Sequence, residues 1–113
     1  MSFNLYNGTK LLTSEANVCS SFFSRMLGLM FCLKPRTLIF DFDQEHIISL
    51  HMFFVFFPID VIFLDKDKRV IEIKRNFKPF TIHESKNKAQ YIIESSIGIN
   101  IDLNDKIGWE QSN

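Results

Sequence analysis

Residues 52–64 read MFFVFFPIDVIFL, an apolar run interrupted only by Pro58 and Asp60, and no other stretch narrows the fold of this 113-residue chain as much. A membrane-crossing helix needs about 20 apolar residues. This run is shorter and carries a proline and a carboxylate, so it reads as interior strand. Pro58 donates no backbone hydrogen bond and marks a strand end, an edge or a bulge. Aromatic and β-branched side chains favour strands, and the chain holds 13 Phe. Hydrophobic residues at 46% and charged residues at 23% exclude a disordered chain. Four Gly and three Pro exclude a collagen-like or linker-like one.

The rest of the chain is a series of short strands with polar punctuation and no internal repeat. Phe3 and Leu5 share a face, Asn7-Gly8 is a strong hairpin signal, and Thr9 to Leu12 is the return strand. Glu15 to Cys19 is a further short strand. Ser20 and Ser21 are helix caps, Phe22, Phe23, Met26 and Leu27 recur at helical spacing, and Gly28 ends the pattern. One short helix is expected over Ser21 to Leu27. Thr37 to Phe40 is a strand, and Asp41 to Glu45 (DFDQE) a polar turn. Ile59 to Leu64 and Arg69 to Lys74 form a second hairpin around the turn at 65–68. There Ile71 and Ile73 share a face while Val70 breaks the alternation. Phe80 to Ile82, Gln90 to Glu94 and Lys106 to Trp109 are the remaining strands. The expectation is one domain over residues 1–113, mainly β: a compact antiparallel β sandwich or barrel-like domain with one short helix.

Lys and Arg number 13 and so do Asp and Glu, so the formal net charge is zero. Sequence-independent nucleic-acid binding rests on excess positive charge, and no nucleic-acid partner is expected. No membrane partner is expected either. The N-terminus, MSFNLYNGTK, has neither the basic nor the apolar region of a secretory signal, which predicts a cytoplasmic protein. Cys19 and Cys32 form no CxxC pair and read as free thiols. Phosphate-loop, dinucleotide and GxSxG fingerprints are missing from the sequence, so no cofactor is expected. Asp65-Lys66-Asp67 starts like a calcium loop, but Val70 and Asn76 stand where that loop needs Gly and Glu, so calcium is rejected. No metal site is expected.

Asp60 stands out because a carboxylate inside an apolar strand must be paired, hydrogen-bonded or neutralised. Three readings follow. Asp60 accepts backbone N–H groups and fixes the bend after Pro58, or it is a pocket acid or base with a shifted pKa, or it sits at an exposed strand end. Arg25, on the polar side of the expected helix, has a guanidinium fork suited to Asp60 or to Glu94. His51 next to Met52 suggests soft-metal ligation, but adjacent strand residues point to opposite faces, so the two cannot easily share an ion.

The order RMLGLM at 25–30, HMFFVFFPIDVIFLD at 51–65, Pro79, YIIES at 91–95 and Asn104-Asp105 resembles the domain-of-unknown-function 192 family, from about Ala16 to Trp109. Relatives often have Trp before the Met and a polar pair after it, where this chain has His51 and Phe53-Phe54. The resemblance implies a compact, mainly antiparallel β sandwich or barrel-like domain with a small helix. It also marks Arg25, Gly28, Met30, Met52, Asp60, Tyr91 and Glu94 as motif positions. The expected role is a binding module for a small molecule or a protein, with Arg25, His51, Met52, Asp60 and Glu94 as binding candidates. The alternatives are a metal-independent enzyme built on Asp60 and Arg25, or an assembly module, since zero net charge favours self-association.

Overall fold

The computed structural model describes residues 2–19, 36–52 and 56–112. Nine strands are found there: β1 (Phe3–Asn7), β2 (Lys10–Cys19), β3 (Leu38–His46), β4 (Ser49–His51), β5 (Ile59–Leu64), β6 (Val70–Phe77), β7 (Ile82–Glu84), β8 (Ala89–Ser95) and β9 (Ile107–Gln111). Seven form one sheet in the order β6-β5-β8-β3-β2-β1-β9, and β4 with β7 forms a second, two-stranded sheet. The fold is mainly β, as expected, and no helix occurs among the described residues. The helix expected over Ser21 to Leu27 lies outside them.

The hairpin at Asn7-Gly8 forms with Asn7 opposite Lys10, so the two central turn residues are Gly8 and Thr9. Gly8 has φ +62°, the left-handed region that a two-residue hairpin needs at its first position. The return strand does not stop at Leu12. It continues through bulges to Cys19, where Asn17–Cys19 pair in parallel with Leu38–Phe40. The remaining pairings are antiparallel. β3 likewise runs through DFDQE. Asp43 has φ 67°, its N–H donates to Asp41 Oδ1 at 2.9 Å, and the register with β8 jumps between Asp41 and His46. The polar turn is therefore a bulge inside a strand.

The sheet curls until its two edges meet at one end. Arg69 bridges Lys106, the Val70 N–H donates to Asp105 O at 2.9 Å, and the Ile107 N–H donates to Lys68 O at 2.9 Å. Every strand of the large sheet, or the loop beside it, places an apolar side chain inside this half-barrel: Leu5, Ala16, Ile39, Ile62, Val70, Ile93 and Ile107, with Ile101 from the last loop. The outer face of β3, β8, β5 and β6 carries Leu38, Phe40, Val61, Phe63, Phe77 and Ile92. The β4–β7 pair covers that face with Ile48 and Met52. β5 is apolar on both sides except at Asp60 because it lies between the two cores, and all six of its residues are buried. The stretch from His46 to Phe57 is apolar in sequence but mixed in exposure. Among its described residues the strand is Ser49–His51, and Ile47 and Phe56 are exposed.

A bulge between Phe63 and Leu64 of the β5–β6 ladder corrects one expectation. Ile71 packs on the outer core and Ile73 on the inner one. The extra residue shifts parity, so the two do not share a face.

The inner core should dominate stability. Ile93→Ala is expected to cost about 2–5 kcal/mol, whereas Ile97→Ala, at a position 53% exposed, should stay within about 0.5 kcal/mol of wild type. Urea unfolding of the two variants measures the contrast.

Candidate functional site

Strand register sorts the candidate residues before any distance is considered. Asp60 pairs with Ser95, and its neighbour Val61 pairs with Glu94. Side chains alternate along a strand, and Val61 belongs to the outer core. Asp60 therefore points into the half-barrel and Glu94 points out of it. Met52 is buried on the outer side, with its N–H donating to Thr81 O and its carbonyl accepting from the Phe80 N–H, both at 2.8 Å. The His51 backbone pairs with Ile82. Arg25 lies outside the described residues. The structure thus places Met52 and Glu94 on one face and Asp60 on the other.

Asp60 has no exposed surface. Its Oδ1 accepts the Asn76 N–H at 3.0 Å. Its Oδ2 accepts the Gly98 N–H at 2.8 Å and the Arg75 guanidinium at 2.7 Å. Arg75 then donates to the Ile99 and Ile101 carbonyls, at 2.9 and 2.5 Å. Burial alone would raise the Asp60 carboxyl pKa. The bonds from Asn76, Arg75 and Gly98 outweigh it and hold the group below its usual range. This agrees with the reading of Asp60 as an acceptor of backbone N–H groups. The charged partner found is Arg75, which the sequence reading missed. The signal for it was the polar triplet Lys74-Arg75-Asn76, closing a strand that must run beside β5.

The Asp60–Arg75 pair forms one wall of a concave mouth at this end of the half-barrel. Asp60, Arg75, Asn76 and residues 97–100 line a depression of about 350 Å³. A second, of about 460 Å³, adjoins it and is lined by residues 10–13, Thr37 and residues 95–100. Pockets that hold small ligands span about 300–1,000 Å³. Apart from the Asp60–Arg75 pair, the titratable side chain in the lining is Lys10. The polar groups are the hydroxyls of Thr13, Thr37, Ser95 and Ser96 and the side-chain amides of Asn76 and Asn100.

Glu94 differs from Asp60. It is partly buried and densely surrounded on the outer face, and its carboxyl makes no hydrogen bond or ion pair with a described residue. Burial pushes its pKa up to about 7. Cys19, a free half-buried thiol, is held above its usual range by burial and then by the Glu94 charge. Among the described residues no group of three or more His, Cys, Asp or Glu could hold a metal ion. No helix among them is long and apolar enough to cross a membrane.

The model of the DUF192 family, described as an uncharacterized ACR, matches residues 4–109. A UPF0127 protein of Pyrococcus horikoshii is 43% identical over 102 residues, covering 84% of this chain and 87% of the relative. A UPF0127 protein of Thermococcus sibiricus is 37% identical over 110 residues, covering 89% and 70%. A solved protein of unknown function from Novosphingobium aromaticivorans superposes with a TM-score of 0.82 at 20% identity, covering 96% of this chain and 84% of that one. At that identity the likeness shows the fold alone.

The two carboxylates give opposite pH signatures. A depressed folded pKa, as at Asp60, stabilises above the unfolded value near 3.9, and the benefit is lost as pH falls through the folded value. Asp60→Asn should therefore cost about 2–4 kcal/mol at pH 7, and the gap to wild type should narrow as pH falls below about 4. A raised pKa, as at Glu94, means that the folded state binds more protons, so stability falls as pH rises from about 4.3 towards 7. Glu94→Gln should match wild type at pH 4 and exceed it by roughly 1–2 kcal/mol at pH 8. Urea midpoints across this pH range test both.

Proposed function

Since the chain belongs to the DUF192 family of uncharacterised proteins with a compact β fold, we propose that it is a binding module that holds a small polar molecule in the mouth beside Asp60. The observation that carries this reading is the pair of adjoining depressions sharing residues 97–100. Hydroxyls, amides and aliphatic side chains line them, with Lys10 at the far end. That lining suits a ligand rich in hydrogen-bonding groups.

Asp60 holds the mouth open and does no chemistry in it. Its oxygens are occupied by three donors, and its lowered pKa leaves it a poor proton acceptor at neutral pH. The enzyme alternative therefore has less support, because the other carboxyl of interest, Glu94, faces the opposite side of the sheet. The assembly alternative has a specific observation behind it. Phe56, Phe80 and Ile82 are 57%, 56% and 68% exposed, and the two Phe rings meet edge-on at 6.0 Å. Its test is whether the sedimentation coefficient rises with protein concentration in wild type and not in Phe80→Ser.

The binding reading is tested by amide NMR titration with a set of monosaccharides and small carboxylates at millimolar concentration. At least one probe should shift the amides of residues 96–100 together with Thr13 or Thr37. Thr37→Trp, which fills the mouth, should abolish those shifts. If no probe moves these amides, or if Thr37→Trp leaves binding unchanged, the proposal fails.

A further inference from the structure

The far end of the half-barrel is built differently. Along β8, Ser95 lies at the Asp60 mouth and Tyr91 four residues away, at the opposite end. Tyr91 pairs with Leu64 of β5 and with Asp41 of β3. Trp109 of β9 pairs with Leu5, and both aromatic side chains pack on the inner core. Their ring centroids are 5.2 Å apart and the planes meet at 74°, so the two rings form a corner. The phenol oxygen of Tyr91 accepts a hydrogen bond from Gln90 Nε2 at 3.1 Å, which helps fix its ring.

A cation already sits in this corner. The Lys68 ammonium is 4.0 Å from the Trp109 centroid and 5.6 Å from that of Tyr91. It makes no hydrogen bond or ion pair with a described residue, so the rings are its partners. Ring faces attract cations through the quadrupole, and paired aromatic faces are how proteins recognise quaternary ammonium groups. The surroundings favour positive charge further. The Tyr91 pKa is raised by burial and then by the Asp41 and Asp43 carboxylates, which places the field of two anions at this ring.

The Lys68 backbone is pinned independently of its side chain. Its N–H donates to Asp65 O at 3.0 Å and its carbonyl accepts from Ile107 at 2.9 Å. Its φ is 63°, which suits Gly or Asn better than Lys. The side chain can therefore leave the corner without disturbing the turn that carries it.

We propose that the Tyr91–Trp109 corner is a site for alkylammonium cations, with Lys68 as its tethered occupant, displaced when a ligand enters. The site is separate from the mouth beside Asp60, and its test does not depend on that reading.

Trp109 is the only tryptophan in the chain, so its fluorescence reports on the corner directly. The probe is choline, and the control is its neutral isostere 3,3-dimethyl-1-butanol. In Lys68→Asn and Lys68→Gly, both compatible with positive φ, choline should quench Trp109 with a midpoint roughly ten-fold lower than in wild type. The neutral isostere should quench far less. Adding Tyr91→Leu to either variant should return the midpoint to the wild-type value or weaker. In wild type, the Lys68 side-chain methylene resonances, shifted by the rings, should move towards their free positions as choline is added. The proposal is overturned if removing Lys68 leaves the midpoint unchanged, or if the isostere matches choline. It is equally overturned if loss of Tyr91 has no effect, or if the wild-type Lys68 resonances stay in place while choline quenches Trp109.

Discussion

A carboxylate with no exposed surface receives three donors from two separate stretches of this chain, and much of the half-barrel's geometry follows from it. Asp60 lies on β5, Asn76 and Arg75 at the end of the neighbouring edge strand β6, and Gly98 in the loop after β8. An isolated charge buried in an apolar strand would be prohibitively costly, so these donors must arrive together. Their arrival fixes the backbone. Asn76 adopts φ 51° and Gly98 φ 92°, and the ladder register slips between Ile59 and Val61. Arg75 carries the constraint onward to the Ile99 and Ile101 carbonyls, so the loop at 97–101 becomes a defined wall instead of a loose crossover.

The same device recurs. Glu72 accepts the backbone N–H groups of Lys86 and Asn87 and meets His83 Nε2 at 3.2 Å, tying the two-stranded outer sheet to β6. Asp65 accepts the N–H groups of Asp67 and Arg69 to shape the β5–β6 turn. Asp105 accepts from the Asp102 N–H and from Asn7, joining the first hairpin to the last loop. Each carboxylate stands in for missing backbone partners where the ladder breaks. Asp60, Glu72 and Asp105 are held below the usual carboxylate range by the hydrogen bonds they accept, which makes them weak candidates for proton transfer. Among the acidic residues with a resolved shift, Glu94 is the exception. It has no such donors among the described residues, and burial raises its pKa.

What the sequence made legible follows the range of the interaction. The hairpin at Asn7-Gly8 and the strand Ile59–Leu64 rest on local turn chemistry and hydrophobic run length, and both formed as expected. The need for Asp60 to be hydrogen-bonded was also legible, because the cost of an unpaired buried charge does not depend on the fold. The identity of its partners was not. Arg75 reaches Asp60 only through strand pairing between residues 15 apart in sequence, and Gly98 only through a loop 38 residues away. The opposite facing of Asp60 and Glu94 was hidden for the same reason, since parity within one strand says nothing about its register with another. Bulges caused the remaining differences. One added residue near Val70 separated Ile71 from Ile73, and another let β3 continue through DFDQE. The second leaves no strong signature because Asp43, instead of Gly, takes the positive φ.

The two ends of the half-barrel acquire different chemistry from one geometric fact. The sheet closes where Arg69 bridges Lys106, and the Asp60 end is filled by a loop instead of a ladder. Where strands meet, side chains converge, and large rings such as Tyr91 and Trp109 can touch across the interior with a lysine from the joining turn between them. Where a loop closes the gap, backbone amides and short hydroxyl side chains line the surface, because the loop must satisfy its own polar groups. A curled sheet with a single closed seam thus presents an aromatic, cation-favouring end and a hydroxyl-lined end. The inner core between them, from Ile39 and Ile62 to Ile93, keeps the two apart. That separation lets the side chains lining each end change without disturbing the inner core, provided Asp60 and its donors are kept.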